Sequence, residues 1–135
     1  MWIFTSKGFV SCVRHKSKPG IVLVRARTEE HLKEFVGKEH ESKCFTIQIG
    51  DYLHRAELAE WEFNERLIQH TKAMQYPNFK GSIPAGDRAY YSACSAVWHI
   101  MHDYANGAFN GPSYDEDFDP FENPEEYTFQ INGRK

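Results

Sequence analysis

Basic side chains near the first strands are the first residues that could recognise a ligand. Arg14 and Lys16 lie close together in the sequence. Arg25 and Arg27 alternate in a β-favouring run, so both face one side of a sheet, where two guanidinium forks can grip carboxylates or phosphates. This cluster predicts a patch for nucleic acid or for an acidic protein surface. The structural alternative is that these are solvated strand ends and that the arginines hold a loop.

A second candidate is the segment between the last two predicted helices. Tyr76 and Phe79 could stack on bases, Asn78 could hydrogen-bond to base edges, and Lys80 could contact a phosphate. The structural alternative places Phe79 in the core and uses Asn78 to satisfy loop amides. The residue types are compatible with both interpretations.

A third candidate is an acidic segment that also carries aromatic rings. Seven acids and no Lys or Arg lie between Asp115 and Glu126. The predicted partner-binding residues are Asp115, Glu116, Asp117, Phe118, Asp119, Phe121, Glu122 and Tyr127. Such a strip can imitate the phosphates of a nucleic acid, bind another protein or fold back onto a basic body.

Catalytic and metal-binding patterns are weak. Cys12, Cys44 and Cys94 form no CxxC pair and recur among apolar neighbours, which favours burial over nucleophilic chemistry. His99 and His102 share a helix, but zinc would need further ligands. We therefore predict no catalytic residue, no metal and no cofactor, and expect that the protein is not an enzyme.

Length and composition fit one ordinary domain. The chain has 135 residues, of which 41% are hydrophobic, 26% charged and 15% aromatic. The net charge of −3 divides into an acidic carboxyl-terminal segment and a slightly basic remainder. No run approaches the ~20 apolar residues that span a bilayer, and the start lacks the features of a signal peptide. We expect no membrane association and a cytoplasmic protein with reduced cysteines.

Hydrophobic periodicity predicts an α+β fold. Strands are predicted at residues 2–5, 9–14, 21–27 and 44–49, and helices between Thr28 and Gly37, at 55–74 and from Asp87 to Asn106. The order β-β-β-α-β-α-α implies a mainly antiparallel sheet of about four strands with helices on one face. Residues 1–107 form the predicted domain, and residues 108–135 form an acidic, aromatic extension.

Five short segments stand out along the chain: Met-Trp-Ile-Phe at the start, Gly-Phe-Val-Ser at 8–11, Leu-Val-Arg-Ala-Arg at 23–27, Tyr-Pro-Asn-Phe-Lys at 76–80 and Trp98 with Met101. They resemble a family of small uncharacterised proteins from phages, prophages and other mobile elements. Matches to this family occur in order along most of residues 1–102. The resemblance implies a phage or mobile-element setting and no particular reaction. The acidic extension departs from the family.

These observations support two functional expectations. The first is a phage or mobile-element accessory protein that binds a host or element-encoded protein without catalysis. It would include inhibition of a nucleic-acid-handling defence system, in an anti-CRISPR-like or another anti-defence role. The second is a nucleic-acid-binding accessory protein that uses the basic hairpin end and the loop from Tyr76 to Lys80.

Overall fold

The structure is a computed structural model that describes residues 1–110. The strands are β1 Trp2–Thr5, β2 Gly8–Arg14, β3 Ile21–Ala26, β4 Cys44–Thr46 and β5 His54–Ala59. The helices are α1 Glu29–Val36, α2 Glu60–Ala73, α3 Phe79–Ser82 and α4 Arg88–Ala105, with a 3₁₀ segment at Lys38–Lys43. The chain divides into two units, Met1–Ser92 and Ala93–Lys135. The predicted boundary at residue 107 stays a prediction.

The five strands form one antiparallel sheet in the order β1-β2-β3-β5-β4. Two hairpins build its first half, as the turn residues at 6–8 and 15–20 predict. Helices α1 and α2 pack on one face, so the α+β class is confirmed. The sheet has five strands, one more than the sequence predicts.

The additional strand lies where a helix is predicted to begin. Residues His54–Ala59 pair along their whole length with β3 and, at one end, with β4, and α2 begins only at Glu60. Ala, Glu and Leu in this segment favour a helix locally, but a central position between two strands outweighs that preference. Strand β4 is also shorter than predicted: it ends at Thr46, because the chain then turns back towards β5.

One apolar core lies between the sheet and helices α1 and α2. The sheet contributes Val10, Cys12, Val22, Val24, Ala26, Ala56 and Leu58, and the helices contribute Leu32, Phe35, Val36 and Phe63. Alternate residues of β2, β3 and β5 therefore face the helices, and the residues between them face the opposite side. The alternation therefore decides which side chains of these strands lie outside the apolar core.

The ends of α1 agree with the sequence prediction. The Thr28 hydroxyl accepts a hydrogen bond from the amide of His31 at 3.2 Å, and Gly37 ends the helix with a φ of 78°. In α2, His70 stacks on Phe35 with ring centroids 4.8 Å apart, and its Nε2 lies 2.9 Å from the Phe35 carbonyl. Helix α2 is thereby held against α1.

Helix α4 begins at the predicted cap, where the Asp87 carboxylate accepts from the Tyr90 amide at 3.1 Å. Tyr90 also donates its hydroxyl to the Thr5 carbonyl at 2.8 Å. Tyr90 and Cys94 are buried, whereas Val97, Met101 and Tyr104, which the helical period would place on the same side of the helix, are exposed. Within residues 1–110 no helix is long and apolar enough to cross a membrane.

Candidate functional site on the open sheet face

The sheet has a second face, turned away from α1 and α2, which we call the open face. Its side chains come from the strand positions that alternate with the core positions. They are Trp2, Phe4, Phe9, Ser11, Val13, Ile21, Leu23, Phe45, Arg25, Arg55 and Glu57. Two of the open-face residues are arginines and four carry aromatic rings.

One row of cross-strand neighbours runs across all five strands of the open face. Trp2 lies opposite Ser11, and Ser11 lies opposite Arg25. Arg25 in turn lies opposite Arg55, which lies opposite Phe45. With neighbouring strands about 4.8 Å apart, the row is about 19 Å long. It has a ring at each edge of the sheet and two guanidinium groups between them.

Arg25 is held in place by neighbours on two sides. Its Nη2 donates to the Ser11 hydroxyl at 2.8 Å, and its Cζ lies 4.9 Å from the centre of the Tyr52 ring. Ser11 and Tyr52 are themselves buried, at 1% and 6% exposure. The Nε of Arg25 is buried and has no hydrogen-bond partner within residues 1–110. The side chain is therefore positioned but retains an unused donor.

Arg55 is the cross-strand neighbour of Arg25, and the two positive charges oppose each other. The Nε of Arg55 donates to the Tyr52 carbonyl at 3.0 Å. Partial burial, and then the charge of Arg25, lower the pKa of Arg55 below its ordinary value. An arginine stays protonated all the same, so the strain of two adjacent like charges persists.

The acids nearest to this pair already have partners. Glu57 is 2.6 Å from Lys18 and 3.3 Å from His15, and these contacts lower the pKa of its carboxyl, the Lys18 hydrogen bond most strongly. Asp51 is bound by Arg27 at 2.9 Å. In the part of the chain that the structure describes, neither Arg25 nor Arg55 forms an ion pair with an acid. Among these residues, no acid balances the positive charge at the centre of the row.

The rings form two groups on the open face. Trp2 and Phe4 both contact Phe9, with ring centroids 5.8 and 4.6 Å apart, and Phe9 continues to Tyr52 at 6.4 Å. Trp2 remains 69% exposed and Phe45 41% exposed. These two rings have accessible faces at either end of the row, where a flat group can stack.

Two of the predicted basic residues meet in the structure. Arg25 and Arg27 both lie against Tyr52, the second with its Cζ 4.5 Å from the ring centre, as expected for a pair on one face. Arg14 lies on the opposite face, where it binds Glu60 with two hydrogen bonds of 2.7 and 3.0 Å. Lys16 is exposed in the turn after β2. The structure thus separates the predicted hairpin cluster.

The predicted loop residues lie around the short helix α3. Asn78 caps this helix, since its Oδ1 accepts from the Gly81 amide at 3.2 Å. Tyr76 and Phe79 have ring centroids 6.2 Å apart, and Lys80 belongs to α3 itself. Asn78 thus fits the structural alternative, in which it satisfies local amides. The predicted residues of the acidic segment, from Asp115 to Tyr127, lie outside the described residues.

The cysteines and histidines considered from the sequence are not among the side chains of the open face. The Cys12 side chain faces the core, and burial raises the pKa of its thiol to about 12, so it is a poor nucleophile. Within residues 1–110, no three His, Cys, Asp or Glu side chains are grouped to hold a metal ion. His102 instead stacks on Trp98 with ring centroids 5.1 Å apart.

Four residues of this site are not predicted from the sequence as site residues: Trp2, Phe45, Tyr52 and Arg55. The available signal is alternation in residues 54–59, where Arg55 and Glu57 interrupt Ala56 and Leu58. Interpreted as a strand, that segment puts Arg55 on one face and the apolar residues on the other. Tyr52 lies in a loop and has no periodic signal.

Comparison with family models, with curated proteins and with solved structures finds no match to this chain.

Proposed function

We propose that this protein is a non-catalytic binding protein that holds an anionic partner on the open face of its sheet. The observation that carries the proposal is the cross-strand pair Arg25–Arg55, which has no acidic partner within residues 1–110. An anion placed between two guanidinium groups replaces their repulsion with two attractions. The repulsion between the two arginines opposes folding, and a bound anion that removes it makes the free energy of binding more favourable.

The arginines of the site are held by contacts with Tyr52. Tyr52 packs against Arg25, Arg27 and Phe9, and its carbonyl accepts from Arg55. Side chains that are ordered before a partner arrives lose less conformational entropy on binding. The Arg25–Arg55 pair argues against a purely structural role for the arginines, because like charges on neighbouring strands oppose folding and no acid within residues 1–110 is paired with either.

The biological setting is a further part of the proposal. The resemblance of residues 1–102 supports a phage or mobile-element accessory protein, acting in the cytoplasm of a bacterial host. A host or element-encoded protein with an acidic surface is one partner that the open face would suit. Inhibition of a nucleic-acid-handling defence system is the role we propose for such binding.

Binding to the open face is tested by nuclear magnetic resonance on the full chain. Poly-L-glutamate and a short oligothymidylate serve as anionic probes at low salt. We expect the amide signals around Arg25 and Arg55 to shift with at least one probe, and the double variant Arg25→Gln with Arg55→Gln to abolish the shifts.

The matched control is Arg14→Gln. Arg14 is also an exposed arginine at the end of a strand, but it lies on the other face and is paired with Glu60. This variant is expected to bind as the wild type does. Equal loss in both variants, or no binding of either probe by the wild type, would contradict the proposed function.

A further inference from the structure

Resting on the proposed function, we infer that the anionic partner of the open face is a single-stranded nucleic acid. The row from Trp2 to Phe45 places positive charge and exposed rings on one surface. A nucleotide carries a phosphate and a flat base in a fixed repeat, so it supplies a partner for both kinds of group. Arg25 and Arg55 would contact phosphates, and Trp2 and Phe45 would stack on bases.

The groups that the open face offers to a ligand favour a nucleic acid over an extended peptide. A peptide that binds a sheet usually extends it at an edge, because its backbone amides need hydrogen-bond partners. Between the edge strands β1 and β4, the open face offers side chains only, since the inner strands β2, β3 and β5 are paired on both sides. A nucleic-acid strand has no backbone amides to satisfy, so it can cross a sheet face without leaving buried donors unpaired.

Accessible rings favour unpaired bases over a duplex. The bases of a duplex are stacked on each other, and their flat faces are closed to Trp2 and Phe45. The row is about 19 Å long, and the sheet faces of RNA-binding modules stack about two or three bases over a comparable width. A short unpaired segment therefore fits the site.

Tyr52 has a positioning role in this assignment. It is buried, so it is not a stacking surface for a base. Its ring instead contacts the guanidinium groups of Arg25 and Arg27 at 4.9 and 4.5 Å. By ordering Arg25 in the middle of the row, Tyr52 fixes the distance between the cationic centre and the rings of Phe9 and Trp2.

The inference is tested by fluorescence anisotropy with the full chain and a labelled oligothymidylate. The comparison probes are the matching duplex, an oligouridylate of the same length, an oligomer with abasic sites in place of its bases, and an acidic, aromatic peptide with the sequence of residues 113–127. We expect the oligothymidylate or the oligouridylate to bind more tightly than the duplex, the abasic oligomer and the peptide.

Variants separate the contributions of charge and rings. Replacing both Arg25 and Arg55 by Gln should make the slope of log affinity against log salt less steep by about 1.4, which corresponds to two phosphate contacts. Trp2→Leu should weaken binding about tenfold and leave the salt slope unchanged, because it removes stacking and no charge. Arg14→Gln is the control that should change neither quantity.

The outcomes distinguish the inference from the proposed function. If the peptide binds at Arg25 and Arg55 and no oligonucleotide does, the inference fails and the proposed function stands. Equal affinity for the abasic oligomer also overturns the inference, because the rings would then be unused. If no probe binds the wild type, both fail. Preference for the oligothymidylate or for the oligouridylate assigns the strand as DNA or RNA.

Discussion

The two faces of the sheet differ in the burial and in the charge of their side chains. Towards α1 and α2, the strands present Val24, Ala56 and Leu58, which are completely buried in an apolar core. On the opposite face, the neighbouring positions are Arg25 and Arg55, which are only partly buried and have no acidic partner within residues 1–110. Because successive side chains alternate, each strand contributes to both surfaces at once. The covered face contributes the apolar core, and the open face carries two arginines that have no acidic partner within residues 1–110.

The charges of Glu62 and of the Arg25–Arg55 pair are balanced differently within the described residues. Near the covered face, the carboxylate of Glu62 is buried and accepts from the Lys43 ammonium at 2.6 Å and from the Ala59 amide at 2.8 Å. On the open face, Arg25 and Arg55 face each other as like charges. Buried charges that serve stability are expected to have partners, whereas uncompensated ones mark candidate sites for a ligand.

The largest predicted effect comes from the core. Phe35→Ala removes a ring that is 2% exposed and stacked on His70, and it should lower the free energy of unfolding by about 3–5 kcal/mol. Phe45→Ala on the open face should cost less than about 1 kcal/mol, because that ring is 41% exposed. Urea denaturation of both variants measures the difference. Similar losses would mean that the open face also carries the stability of the fold.

A smaller effect is predicted for Glu62. The hydrogen bond from Lys43 holds the pKa of this carboxyl below its ordinary value of 4.5, although burial opposes the shift. Its contribution to stability is therefore present above about pH 4.5 and is lost as the pH falls through the lowered pKa of the folded state. Glu62→Gln should cost about 1–3 kcal/mol near neutral pH, because Lys43 loses its charged partner.

The pH dependence is the sharper measurement for Glu62. Denaturation of the wild type and of Glu62→Gln at several pH values should show their stabilities converging as the pH falls below about 4.5. Lys43→Met removes the largest of these stabilising contacts and should reduce the pH-dependent component, while the hydrogen bond from the Ala59 amide retains part of it. A constant difference between Glu62→Gln and the wild type at all pH values would show that the carboxylate charge is not what stabilises the fold.

The smallest predicted effect on stability is at Arg55. Arg55→Met removes one of two like charges and keeps an apolar stem, at the expense of the hydrogen bond to the Tyr52 carbonyl. We expect the free energy of unfolding to change by less than about 1 kcal/mol, with the variant most favoured at low salt. Thermal unfolding at two salt concentrations tests this, and a loss above about 2 kcal/mol would identify Arg55 as a structural residue.

Local signals predict much of the fold. The first two hairpins, the Thr28 cap, the end of α1 at Gly37 and the Asp87 cap all follow from turn and capping residues, and the structure confirms them. The prediction is wrong where local preference and tertiary pairing disagree. Residues 54–59 favour a helix by composition, but the edges of β3 and β4 pair with them as a strand.

The candidate site is only partly predictable for the same reason. Alternation within a single strand is enough to place Arg25 and Arg27 on one side of the sheet. The partnership of Arg25 with Arg55, and the rings at both ends of the row, depend on register between segments that are up to 53 positions apart in the sequence. The local sequence around Phe45 and Tyr52 does not predict which distant residues lie beside them.

The sequence alone determined the alternation of β3 and the caps of α1 and α4, because the period of two in a strand and the caps of a helix are properties of neighbouring residues. Only the tertiary structure decided which charges are compensated. Arg14 forms an ion pair with Glu60, and Arg27 forms one with Asp51. Arg25 and Arg55, by contrast, lie opposite each other on neighbouring strands. Strand order makes that choice, since it brings together groups that the chain itself keeps far apart.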